Sequence, residues 1–303
     1  MNDSCPRFCD VIRQKEFVVT VDLPLHPLTT VADIHAWTEA VAPFVDGIQV
    51  VDDRNATGHM SSLVAAAKVL ERGVDPIVHM TGRDRNNVAL RADLLGAAAL
   101  DITSLLIMRG EKLAQDDSTH SDGVFDTAES RLLNMARQIG EESGLVSPPG
   151  FLIGTRVSAF APVETWGARR IRESLDAGAR YLQTQPCLNE SLLRKYVNRL
   201  VELRITHRAA LLIEIPLLVS SEQARSYKER NPSVLVPGAE IKKISLADDP
   251  LSTGIERCAA MLNVARKIPG VSGANIRYDG PPEHVIAALN KQLPEKRMQA
   301  NES

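Results

Sequence analysis

Residues able to move a proton or bind an anion recur at the carboxyl-terminal ends of apolar runs in this chain. Asp22 ends FVVTVDL, Asp52 and Asp53 follow GIQVV, and His79 follows PIV. Arg109 and Glu111 follow SLLIM, Gln185 ends RYLQTQ, and Arg277 ends VSGANIR. A carboxyl raised in pKa by burial and by neighbouring carboxylates donates a proton near neutral pH. A carboxamide both donates to and accepts from a heterocycle edge, and an arginine fork pairs with carboxylate or phosphate. Taken singly, each such residue is an ordinary solvated or capping group. Their recurrence at one end of successive strands is what points to a site.

The elements that would position them alternate. Strands are expected at Phe17–Leu23, Gly47–Val51, Pro76–His79, Ser104–Met108, Gly150–Val157, Arg180–Gln185, Ala209–Ile215 and Val271–Arg277. Helical runs separate them: Val31–Phe44, Ser61–Arg72, Asn87–Leu100, Ala128–Ser143, Val163–Ala177 and Glu190–Arg204. Glu222–Arg230 and Thr253–Lys267 come after the seventh strand, and Pro282–Leu293 closes the series. Eight strand–helix repeats predict an α/β fold, a single (β/α)8 TIM barrel with its chemistry on the carboxyl face. The expected organisation is an N-terminal extension over 1–15, the catalytic barrel over 16–293 and a flexible tail over 294–303.

Bulk properties exclude other classes. The 303 residues are 44% hydrophobic and 24% charged, with a net charge of -3 at pH 7. No global positive field invites nucleic acid, and 4% aromatic content gives little for base stacking. No apolar run approaches the roughly 20 residues of a membrane span, and the polar N-terminus lacks the apolar stretch of a signal peptide. Four scattered cysteines make no disulfide framework. Cys5 and Cys9 are two thiols without the further ligands of a zinc site. The expectation is a cytoplasmic enzyme with no metal. No lysine sits at a strand end, which argues against Schiff-base chemistry.

The segment from His79 to Glu111 resembles the methylenetetrahydrofolate reductase family. HMTGRDRN is similar to that family's histidine-led turn, DLLGAAALD to its LLGA helix end, and MRGE to its RGD strand end. VTVDLP around Asp22 looks like the first strand, VVDDRNATGHMSS like the second-strand loop, and DAGARYLQTQPCLN like the DAGA–TQ signature. The resemblance runs over about 16–290.

It implies reduction of 5,10-methylenetetrahydrofolate to 5-methyltetrahydrofolate with NAD(P)H through bound FAD, in one-carbon metabolism and methionine biosynthesis, in a homo-oligomer. Asp22 falls where the family carries its catalytic acid, a glutamate. Glu111 falls where an aspartate lies beside pterin and flavin. Gln185 matches the pterin-binding glutamine, and Arg277 joins Asp22 and Glu111 on the substrate side. His79, Arg83, Asp84, Arg109, Gly110, Asp52 and Arg172 are the candidates toward the cofactor. Asp84 has a second reading as the cap of the helix beginning at 86–87, and Gly110 as a tight turn.

Departures fall mostly on the cofactor side. Ser174 stands at a lysine position, Asp52 at an aromatic one and Ser221 at the phenylalanine that stacks on nicotinamide. Arg169, Arg170 and Arg172 lie close enough to stand in for the lysine. Three readings follow: an FAD enzyme with a remodelled pocket, a flavin-independent reductase with direct hydride transfer from NAD(P)H, and a non-catalytic folate-binding barrel.

Overall fold

A computed structural model describes residues 6–52, 58–110, 123–141, 150–230 and 237–292. Residues 294–303, expected as a flexible tail, lie outside them. The chain enters through helix α1 (Phe8–Gln14) and then forms eight parallel strands: β1 (Val18–Leu23), β2 (Gly47–Val50), β3 (Pro76–Thr81), β4 (Ser104–Met108), β5 (Leu152–Val157), β6 (Tyr181–Thr184), β7 (Ala210–Pro216) and β8 (Gly273–Arg277). They pair in sequence order and close through β1 with β8, in the register Val18 to Gly273 and Thr20 to Asn275. The single (β/α)8 barrel is therefore present.

Helices α2 (Val31–Val41), α3 (Ser62–Leu70), α4 (Asn87–Ala99), α5 (Glu129–Glu141), α6 (Arg169–Asp176) and α7 (Glu190–Glu202) cover the outside. They are followed by α8 (Ser221–Arg230), α9 (Gly238–Ser245), α10 (Pro250–Arg266) and α11 (Pro282–Gln292). Their seats follow from periodicity. In α2, Ile34, Trp37 and Val41 recur at helical spacing and bury against Val19, Val21 and Leu23, the odd positions of β1. Thr30 and Asp33 cap that helix reciprocally: the Asp33 N–H donates to Thr30 Oγ1 and the Thr30 N–H to Asp33 Oδ2.

The even positions of β1 face the lumen, because side chains alternate along a strand. At the floor the inward residues are apolar: Val18, Ile77, Leu152, Tyr181 and Leu212, with Leu106 and Met108 continuing the cluster up β4. Phe8, Cys9 and Ile12 of α1 complete this cluster from below. The expected N-terminal extension thus supplies the plug of the barrel. The Phe8 N–H donates to Asp75 Oδ2 at 2.8 Å, and Arg7 pairs with Asp101 at 2.9 Å. Tyr181 lies across the floor, its hydroxyl donating to the Leu105 carbonyl at 3.0 Å. Gly154 makes room for that ring, since a Cβ there would lie 2.1 Å from it.

Three expectations needed correction. The helix expected over Val163–Ala177 is only α6, because Ala168 sits in the left-handed region at φ 53. The preceding loop packs through Phe160 and Trp166 onto Tyr196. Among the described residues three helices rather than two lie between the seventh and eighth strands, with Pro237 and Asp249–Pro250 setting the starts of α9 and α10. The third strand runs past His79 to Thr81, because His79 points into a polar lumen that tolerates it mid-strand.

Candidate active site

Above the floor the lumen changes character within one strand period. Asp22, Thr20, Gln49, His79, Gln183, Glu214 and Asn275 are all buried, and they are joined across the barrel. The Asn275 Nδ2 donates to Asp22 Oδ1 at 2.8 Å, and Thr20 Oγ1 donates to Asn275 Oδ1 at 2.8 Å. The Gln49 Nε2 donates to Thr20 Oγ1 (3.1 Å) and to Gln183 Oε1 (2.6 Å). The Gln183 Nε2 donates back to Gln49 Oε1 (3.0 Å) and on to Glu214 Oε2 (3.1 Å). His79 Nε2 lies 2.8 Å from Gln49 Oε1.

Glu214, fully buried, receives Arg156 Nη2 at 2.8 Å and Arg277 Nη1 at 3.3 Å. Burial works against the charge on Arg277, but Tyr227, Glu214 and Asp22 around it win and raise its pKa. The Arg277 guanidinium also stands 5.0 Å from the Tyr227 ring centre, within cation–π range.

A second cluster forms the rim at the ends of β2, β3 and β4. Asp52 accepts both arms of the Arg85 fork at 2.7 Å, and the Thr81 N–H and hydroxyl at 2.9 and 3.0 Å. Burial pushes the Asp52 carboxyl up, but the Arg85 hydrogen bonds and charge, with Thr81, outweigh it and hold the pKa below the usual range. Arg85 also pairs with Asp93 at 3.0 Å. Arg83, 2% exposed, forms a bidentate pair with Asp84 at 2.7 Å.

Arg109 is exposed and lies 5.9 Å from the Phe125 ring centre. Below it Glu129 accepts the Thr155 hydroxyl at 2.7 Å. Burial raises the Glu129 carboxyl more than Thr155 and Arg109 lower it.

Asp22, His79 and Arg277 therefore belong to one connected lumen, with Gln185 at the next inward position above Gln183. The Gln185 Oε1 accepts from Ser158 Oγ at 3.0 Å. Glu111 lies outside the described residues, as do Asp53 and Cys5. Cys9 is buried in the floor plug. Among the described residues no group of three or more His, Cys, Asp or Glu side chains is arranged to hold a metal, and no helix is long and apolar enough to cross a membrane.

The cofactor-side candidates sit among protein partners. Asp84 does not cap α4; Asn86 does, accepting from the Ala89 N–H at 2.9 Å, while Asp84 holds Arg83. Gly110 has φ +84, and a Cβ there would sit 2.7 Å from Arg83 Cβ, so the glycine serves the packing of a tight turn against β3. Arg172 is not brought to the mouth. It lies on the outer helix α6 and donates to the carbonyls of Gly167 (3.1 Å) and Leu203 (3.0 Å). Arg169 pairs along the same helix with Glu173. Asp52, His79, Arg83 and Asp84 are bonded to protein partners as well. Of that set, Asp84 and Arg109 are exposed.

Sequence reasoning missed Gln49, Gln183, Glu214, Arg156, Thr20 and Asn275. Each is a polar residue inside an apolar strand (GIQV, YLQT, ALLIEIP, LIGTRV, VVTVDL, GANIR), so the signal was present. A polar residue in mid-strand has to be satisfied inside the barrel.

Comparison with known proteins agrees with this architecture. A family model described as methylenetetrahydrofolate reductase matches residues 31–268. A Caenorhabditis elegans protein named "Probable methylenetetrahydrofolate reductase (NADPH)" is 30% identical over 149 residues, a segment covering 48% of this chain and 21% of the relative. The chain thus spans only a minor part of that relative's length. With a family model matched over most of its barrel, the chain belongs to the methylenetetrahydrofolate reductase family.

Proposed function

We propose that this barrel reduces 5,10-methylenetetrahydrofolate to 5-methyltetrahydrofolate at its carboxyl-terminal mouth, with NAD(P)H as hydride source. The observation that carries the reading is Asp22. It is a buried carboxyl on the lumen side of β1, with Oδ1 taken by the Asn275 amide. Asp22 is the general acid: its proton goes to N10 of the folate, the five-membered ring opens, and the methylene carbon becomes an iminium on N5. Hydride from NAD(P)H then adds to that carbon, giving the methyl group and NAD(P)+. General acid catalysis of this kind is worth about 10²–10⁴-fold.

Gln185 presents an amide to the pterin edge, where it both donates and accepts. Arg277, held by Glu214 and Tyr227, offers its remaining donors to the substrate. Glu111 is assigned to the pterin by the resemblance alone. One reading is direct hydride transfer from NAD(P)H to the folate. Family membership favours the second reading, in which bound FAD carries the hydride.

An absorption spectrum of the pure protein, followed by NADH or NADPH oxidation with and without methylenetetrahydrofolate, tests the proposal. Colourless protein that oxidises the nicotinamide in a folate-dependent way supports direct transfer. Yellow protein releasing flavin on denaturation replaces it with the FAD route. Folate binding by calorimetry without turnover would leave a binding protein and sink the enzymatic reading.

A further inference from the structure

We propose that Glu214 is a positioning residue that fixes, from across the barrel, where the protons sit on His79 and Asp22. A carboxylate between two arginines can only accept hydrogen bonds. Every other member of the buried chain could in principle be turned round: an amide flips, a hydroxyl rotates, an imidazole exchanges tautomers. Glu214 therefore sets the polarity of the run.

Its Oε2 demands the NH2 end of Gln183. That places Gln183 Oε1 toward Gln49, which must answer with its own NH2. Gln49 Oε1 then faces His79, and Nε2 of the imidazole is obliged to carry the hydrogen. Neutral His79 is held as the Nε2–H tautomer, with its lone pair on Nδ1. The second proton on Gln49 Nε2 points at Thr20 Oγ1, so the threonine hydroxyl turns to Asn275 Oδ1. The Asn275 NH2 is left to donate to Asp22 Oδ1. That oxygen is an acceptor, and when Asp22 is protonated the proton resides on Oδ2. For its catalytic consequence the inference rests on Asp22 being the acid; the hydrogen-bond polarity does not.

The test is long-range ¹H–¹⁵N correlation on ¹⁵N-histidine-labelled full-length protein at pH 8, with the His79 signals assigned by their loss in His79→Gln. The wild type is expected to show a single neutral ring protonated on Nε2. Protonation on Nδ1 in the wild type overturns the proposal. In Glu214→Gln the residue at 214 offers either oxygen or NH2, so the run is no longer forced and His79 becomes a mixture of tautomers. Gln183→Met cuts the run while leaving Glu214 with both arginines, and decides the matter if Glu214→Gln fails to fold. Retention of pure Nε2–H in the folded variants overturns the inference.

Turnover provides a separate arm. Each variant is expected to lose about ten- to a hundredfold in kcat with little change in KM, the cost of a misoriented acid. A wild type that shows no reductase activity defeats the functional reading while leaving the spectroscopic result to stand or fall by itself.

Discussion

The floor and the mouth of this barrel are built on the same inward-facing positions, two residues apart, and they obey opposite rules. Val18 gives way to Thr20 and Asp22, Ile77 to His79, Tyr181 to Gln183, and Leu212 to Glu214. Below that boundary, apolar side chains and the α1 plug fill the lumen. Above it, most buried polar groups are hydrogen-bonded to one another. Apolar packing dominates the lower lumen and hydrogen bonding the upper, so a change in one should leave the other nearly intact.

The sharpest way to break this division is Asp22→Asn. The substitution keeps size and can still accept from Asn275, so folding should persist while turnover falls by about 10²–10⁴-fold. Equal melting temperatures alongside the kinetics would check it, and retained activity would remove Asp22 as the acid. Phe8→Ala should do the reverse. Emptying the plug costs about 3–5 kcal/mol in denaturant unfolding, with little change in kcat for the molecules that remain folded.

Acid titration separates the halves by sign. Asp75 beneath the floor is raised from 3.8 to about 6, because burial outweighs the donors from Phe8 and Ser104. Its folded pKa lies above the unfolded one, so its contribution is full below about 3.8 and is lost as pH rises through 6. Two pKa units correspond to roughly 3 kcal/mol. Asp52 at the mouth is lowered, so its contribution is present above the unfolded pKa and is lost as pH falls through the folded value. Asp75→Asn should therefore flatten the stability profile between pH 3.8 and 6 and leave the acid limb below it unchanged. A slope that persists in the variant would reassign it to other groups. The smallest effect is expected from Arg172→Ala, about 1 kcal/mol for two lost carbonyl bonds, with no change in cofactor affinity. A weaker Kd for NAD(P)H would return Arg172 to the site.

Much of this was legible in the linear chain. The eight apolar runs and their polar ends located the barrel and its working face, because strand alternation and helix periodicity are local properties. The HMTGRDRN, MRGE and TQ segments carried the family for the same reason, as each is a short contiguous motif. The helical spacing of Arg172 said nothing about which way α6 faces, and its guanidinium reaches the end of α7. The protein partners of Asp52, namely Arg85 and Thr81, could be identified only once β2 and β3 were side by side.

Covalent order was thus sufficient for the architecture, the active face and the family. Closure of the barrel decided the rest. It brought residues as distant as Thr20 and Asn275, Gln49 and Gln183, or Arg156 and Glu214 to hydrogen-bonding distance in a lumen where each must satisfy the others. Which polar groups remain for a ligand depends on that mutual satisfaction. It is a property of neighbours in space, because a buried donor or acceptor left unpaired costs more than the fold can absorb at several positions.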